Sequence, residues 1–246
     1  MIFGLEPWAL ATLVLASFLT AIVSGVLGLA GGVALLGVMS LVLPAPSVVP
    51  IHGMAQLFAN GSRTLLLIRR VYWRYALTYL LPLTVGVGLG AYYGRGLDYS
   101  WLDPVIAGML ILVLALRRLA PKLRRPPLWA YAVVGFFVGT LTLFVGATGP
   151  FMAPVFQRDD LEPQEIVATM AICQSWGHLL KAPAFLLFGF DFGAHAGLLA
   201  VLFCSSVAGT YVGRQVLEKL DRERFARIIE LVLLGLALWL IVRAVG

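Results

Sequence analysis

Between Trp8 and Leu43 the chain runs for 36 residues without a charged side chain, and Gly25, Gly28, Gly31 and Gly32 stand in its middle, within "SGVLGLAGGVALLG". A single helix of that length would measure about 54 Å, whereas the hydrocarbon core of a bilayer is roughly 30 Å thick. Such a segment must protrude, tilt steeply or break. Glycine tolerates a break, and irregular backbone at membrane depth is stable where it lines a protein-enclosed cavity. The sequence therefore predicts a hairpin: a helix over 8–27, a bend at 28–32 and a shorter returning helix.

Further apolar segments follow at about 50–68, 75–94, 102–119, 128–156, 163–183, 192–213 and 225–244. The 246-residue chain is 61% hydrophobic and only 12% charged, against about 25% charged in soluble domains, so it lacks the charge to cover a water-facing surface. No segment alternates as a transmembrane strand does. The expectation is an all-α polytopic membrane protein forming one transmembrane domain over 1–246. Trp8, Trp73, Trp101 and Trp129 fall near segment ends, where interfacial aromatics belong. The first segment lacks a basic flank and is read as retained. Cys173 and Cys204 both lie in apolar segments and are read as free buried thiols.

Two halves are discernible, over about 8–120 and 128–246. "GLAGG" at Gly28 and "GATGP" at Gly146 stand 118 residues apart, and the same offset pairs Gln56 with Gln174, Asn60 with His178 and Arg63 with Lys181. "GAYYGR" and "GTYVGR" (from Gly90 and Gly209) repeat at an offset of 119. Basic residues then decide the topology. If each glycine-bearing segment crosses once, the connector Lys and Arg divide nine against seven; if both fold back, they divide fourteen against two, leaving only Arg95 and Arg243 outside. The positive-inside rule selects the fold-back. It makes the halves opposite in orientation: two inverted repeats, each a glycine-broken hairpin followed by three transmembrane helices, with both termini outside. The net charge of +6 is thereby explained by connectors at the inner leaflet, not by nucleic acid.

His52, Gln56, Asn60 and Arg63 are spaced by four, four and three residues and share one helical stripe; Gln174, His178 and Lys181 repeat the pattern. A cation in an apolar helix faces a cavity or a partner by default, although Arg63 and Lys181 lie toward segment ends and could instead snorkel to the interface. Two facing cationic stripes suit a small anion. Backbone N–H groups freed at Gly28, Gly31, Gly32, Gly146, Thr148 and Gly149 offer a second anion-binding device. The histidines are open to a proton-carrying role or to plain packing. Gly90, Gly94, Gly209 and Gly213 read as close-packing positions, compatible with a homodimer. Deep carboxylates are missing, which disfavours a metal or sodium site built from Asp and Glu. No hydrolase, P-loop or cofactor motif is present, so neither an enzyme nor a cofactor is expected.

"GLAGGVALLGVMSLVLP" with "PIHGMAQLFANGSRTLLLIRRVYWR", and "GATGPFMAPVF" with "ATMAICQSWGHLLKAPAFLLFGFDF", resemble the sulfite exporter TauE/SafE family in both halves and in order. The family's G-x-G-G-G pattern is thinner here, with Ala30, Thr148 and Pro150 departing from it. The resemblance implies a bacterial inner-membrane secondary transporter, an exporter of sulfite, sulfoacetate or another organosulfonate. A passive anion channel, a carboxylate transporter and a non-transporting scaffold are the competing readings of the residues.

Overall fold

The computed structural model describes residues 1–27, 30–94, 126–156, 158 and 160–216, with isolated positions at 108, 111, 231, 234, 235, 238 and 242. Apart from those positions, the segments expected at 102–119 and 225–244 lie outside the described residues, as do Gly28, Arg95, Trp101 and Arg243. The described chain is helical: α1 Pro7–Leu27, α2 Ala30–Val42, α3 Ala45–Leu67, α4 Trp73–Tyr93, α5 Leu128–Val145, α6 Gly149–Phe156, α7 Pro163–Leu187 and α8 Ala196–Val216. Short 3-10 turns precede α4 and α8. Four stretches are long and apolar enough to cross a bilayer: Pro7–Gly25, Trp73–Tyr93, Leu128–Val145 and Gly193–Gly213. The chain is thus an all-helical, membrane-embedded protein. Trp8, Trp73 and Trp129 stand exposed at helix starts.

Local chemistry sets the helix ends. Pro163 opens α7, where Glu162 and Glu165 cap each other's backbone reciprocally. Gly146 closes α5 with φ +77°, a conformation that a side chain would strain.

Both glycine-bearing segments fold back. Residues 24 and 31 of a straight helix would lie about 10 Å apart along its axis, yet a Cβ on Gly31 would strike Ser24 Oγ and the Thr20 carbonyl. In the second segment the Tyr131 hydroxyl donates to the Val155 carbonyl at 2.7 Å, and the Tyr131 ring meets Phe156 at 5.1 Å. The expected bend at 28–32 needs correction. The helix resumes at Ala30, so Gly31 and Gly32 belong to the first turn of α2; they are small because α1 and Gln56 press on them, not because the chain bends there.

The connectors carrying Arg70 and Arg158 meet. Arg70 pairs with Glu162 at 2.9 Å, and the Tyr72 amide donates to Thr169 Oγ1 at 2.9 Å. Arg158 is more deeply held. Its guanidinium donates to both Asp160 oxygens at 2.7 and 2.6 Å and to the Tyr131 hydroxyl at 3.2 Å, and it lies 4.4 Å over Tyr75. The Asp160 hydrogen bonds push its pKa further above the ordinary arginine value. Tyr75 in turn stacks between Tyr72 at 4.9 Å and Tyr131 at 4.8 Å. Tyr131→Phe removes one buried donor and one acceptor from this cluster. It should cost about 1–2 kcal/mol and lower the melting midpoint in detergent; an unchanged midpoint would show that the bond to Val155 does not hold α6 against α5.

Packing places α3 against α7 at the centre, α1 against α8 and α4 against α5. The pairings recur when the halves are exchanged: α1–α8 becomes α5–α4, α3–α8 becomes α7–α4, and α1–α2 becomes α5–α6. Glycines make the outer seams. A Cβ on Gly86 would hit the Phe136 carbonyl, one on Gly135 the Tyr79 carbonyl, and one on Gly139 the Leu83 carbonyl. On Gly90 it would stand 2.6 Å from the Thr140 oxygen. Across the α1–α8 seam, Gly209 meets the Phe18 carbonyl and Gly213 lies against Ile22. That seam adds hydroxyl bonds, Ser17 to Ser206 at 2.7 Å and Ser205 to the Val14 carbonyl at 2.7 Å. Cys173 is a buried free thiol as expected, but Cys204 is free and exposed, on the outward face of α8.

Candidate functional site

The central helices are the polar ones. α3 and α7 turn their stripes toward each other, so that His52 and His178 meet edge to face with ring centroids 5.9 Å apart. The first turns of α2 and α6 close on the same place. Gly32 and Val33, Thr148 and Gly149 join Ala147, His52, Gln56, Gln174 and His178 around a crevice of about 10 Å³, room for about one water molecule. Each half thus contributes one helix N-terminus, one glutamine and one histidine. Helix N-termini present unpaired N–H groups and the positive end of the dipole.

Donor and acceptor chemistry fixes how Gln56 is presented. The Arg63 guanidinium can only donate; it gives Nη2–H to the Ala21 carbonyl at 3.1 Å and Nη1–H to Asn60 Oδ1 at 2.9 Å. The Asn60 amide group must then face the other way, and its Nδ2 donates to Gln56 Oε1 at 3.2 Å. Gln56 thus lines the crevice with its Oε1 held by Asn60. Arg63 therefore acts on the crevice through two amides, from a position 5% exposed behind it.

Lys181 occupies the corresponding place in the other half and behaves differently. It is 1% exposed, so it does not snorkel. Its ammonium donates to the Gly146 carbonyl, capping the C-terminal end of α5, where the dipole favours a cation. His52 bonds through Nε2 to the Gly32 carbonyl at 2.8 Å.

Of the thirteen residues singled out from sequence, His52, Gln56, Gln174, His178, Gly32, Thr148 and Gly149 line the crevice. Arg63, Asn60 and Lys181 stand behind it. Gly31 and Gly146 have structural reasons to be glycine, close contact with α1 and a positive φ respectively. Gly28 lies outside the described residues. Val33 and Ala147 complete the lining and were not anticipated; each is an ordinary apolar residue beside a glycine break, and only proximity to that break could have marked it. Among the described residues no cluster of His, Cys, Asp or Glu could hold a metal ion.

Against known proteins, the sequence model described as "Sulfite exporter TauE/SafE" matches residues 13–240. No curated protein and no solved structure matches the chain.

Proposed function

From the premise that this chain belongs to the sulfite exporter TauE/SafE family, whose members are membrane transporters of sulfur anions, we propose that it is a secondary transporter exporting sulfite, sulfoacetate or a related organosulfonate across the bacterial inner membrane. The crevice between α3 and α7 carries this reading. It gathers the side-chain amides of Gln56 and Gln174, two imidazoles and two helix N-termini, with Lys181 and Arg63 behind them and no carboxylate among its lining residues. That set suits the oxygens of an anion. Alternating access follows from two inverted halves rocking about the α3–α7 contact, with both termini periplasmic. A crevice with room for about one water favours a transporter that opens to its substrate over a standing pore.

A thermal-shift panel tests the reading. A bound anion at one hundred times its dissociation constant stabilises the folded form by about 2.7 kcal/mol, so sulfite or sulfoacetate should raise the melting midpoint of purified protein. Gln56→Ala with Gln174→Ala should remove most of that rise. Absence of any anion-dependent shift, together with flux in proteoliposomes no faster than in empty vesicles, would reject the proposal.

A further inference from the structure

His52 Nε2 lies 2.8 Å from the Gly32 carbonyl. A carbonyl only accepts, so the hydrogen sits on Nε2, and in the neutral ring Nδ1 is a bare lone pair. That Nδ1 is buried and has no partner, and the Nδ1 of His178 is buried and unpartnered as well. The two rings stand 5.9 Å apart on the crevice wall. A buried acceptor without a donor is unfavourable; once protonated, the same nitrogen becomes a donor that needs an acceptor, which an anion oxygen in the crevice would supply.

The surroundings decide when that proton is stable. His178 faces His52 from α7, Lys181 packs against Gly53 beside it, and Arg63 shares its helix. Helices α1, α2 and α6 contain no titratable side chain. Tyr131 of α5 is committed to Val155 and Arg158, and Tyr79 of α4 and Cys173 of α7 are neutral buried groups. The described titratable side chains of α8, Cys204 and Tyr211, are exposed. Among the described residues of these helices the one acid, Glu165, is committed to capping the start of α7, so none offsets an imidazolium. Protonated His52 is therefore uncompensated beside Lys181 until an anion enters, and an anion in the crevice makes the proton favourable in return.

Building on the anion reading above, we infer that the crevice binds its anion together with one proton, taken from solvent onto the His52–His178 pair, so that transport is proton-coupled. Like charge at that separation limits the pair to a single proton. No bond of the substrate is made or broken.

Calorimetric titration of purified protein with sulfoacetate, at about pH 7.5 in buffers of different ionisation enthalpy, reads the proton directly, because both acid groups of sulfoacetate are already ionised there. Uptake of about one proton per bound anion is expected, with affinity rising about tenfold for each pH unit lowered. The double variant His52→Gln with His178→Gln should bind more weakly, with no uptake and a flat pH profile. Sulfoacetate binding to the unaltered protein without proton uptake would overturn the coupling while leaving the anion site standing, and so would one-proton uptake by the folded double variant. Failure of both sulfite and sulfoacetate to bind the unaltered protein would overturn the anion reading and the coupling with it. The wild-type titration does not depend on the variant folding.

Discussion

Gly139→Leu will prevent α4 and α5 from packing. At Gly139 a Cβ alone would strike the Leu83 carbonyl, and at Gly86 the Phe136 carbonyl. The obstacle in each case is backbone, which cannot rotate away as a side chain can. Overpacking commonly costs 1–3 kcal/mol where side chains can adjust; here the helices must separate, so about 3 kcal/mol or more is expected from either substitution. Separation would also pull Tyr79 from Phe156 and Tyr75 from Tyr131 and so disturb the Arg158 cluster. The readout is loss of the monodisperse species in detergent and a sharply lower melting midpoint. Gly88 supplies the control on the same helix. Nothing lies within 4 Å of a Cβ built there, so Gly88→Ala should be neutral or stabilise by roughly 0.5–1 kcal/mol through helix propensity. Equal effects at Gly88 and Gly139 would refute backbone contact as the basis of the seam.

Lys181→Met will cut transport by roughly 100-fold, corresponding to about 3 kcal/mol for removing the buried cation nearest the crevice. Some stability will go too, because the Gly146 carbonyl loses its partner at a cost of about 1–3 kcal/mol. Substrate charge separates the two effects. If Lys181 supplies field to the anion, the loss must be larger for dianionic sulfoacetate than for a monoanionic sulfonate, whereas loosening the end of α5 would penalise both alike. Arg63→Met should act more weakly and through Gln56, since the guanidinium reaches the crevice only by way of Asn60.

The sequence made the hairpins legible because two quantities collide in it: an apolar run too long for one crossing and glycines in its middle. It made the α3 stripe legible because residues at spacings of four, four and three share a face. Helical periodicity gives the direction of a side chain and says nothing of its depth. His52 and Arg63 share a stripe but lie about 16 Å apart along the axis, so the first pair of residues reaches the crevice while Asn60 and Arg63 fall behind it. Lys181 was matched to Arg63 by offset, yet the side chains differ in shape, and Lys181 turns to the end of α5 whereas Arg63 turns to α1. The positions of Gly31 and Gly32 were misread as bend for a related reason. A glycine demanded by a neighbour's approach looks the same in sequence as one demanded by a turn.

The dimensions of the crevice govern what any affinity measurement will report. Space for about one water is smaller than a sulfonate, so the proposed site would take its anion only in molecules whose crevice has widened. The measured dissociation constant is then the constant of that widened form divided by its share of the population. Temperature, detergent or a substitution that alters this share will masquerade as a change in selectivity, even where every contact to the anion is intact.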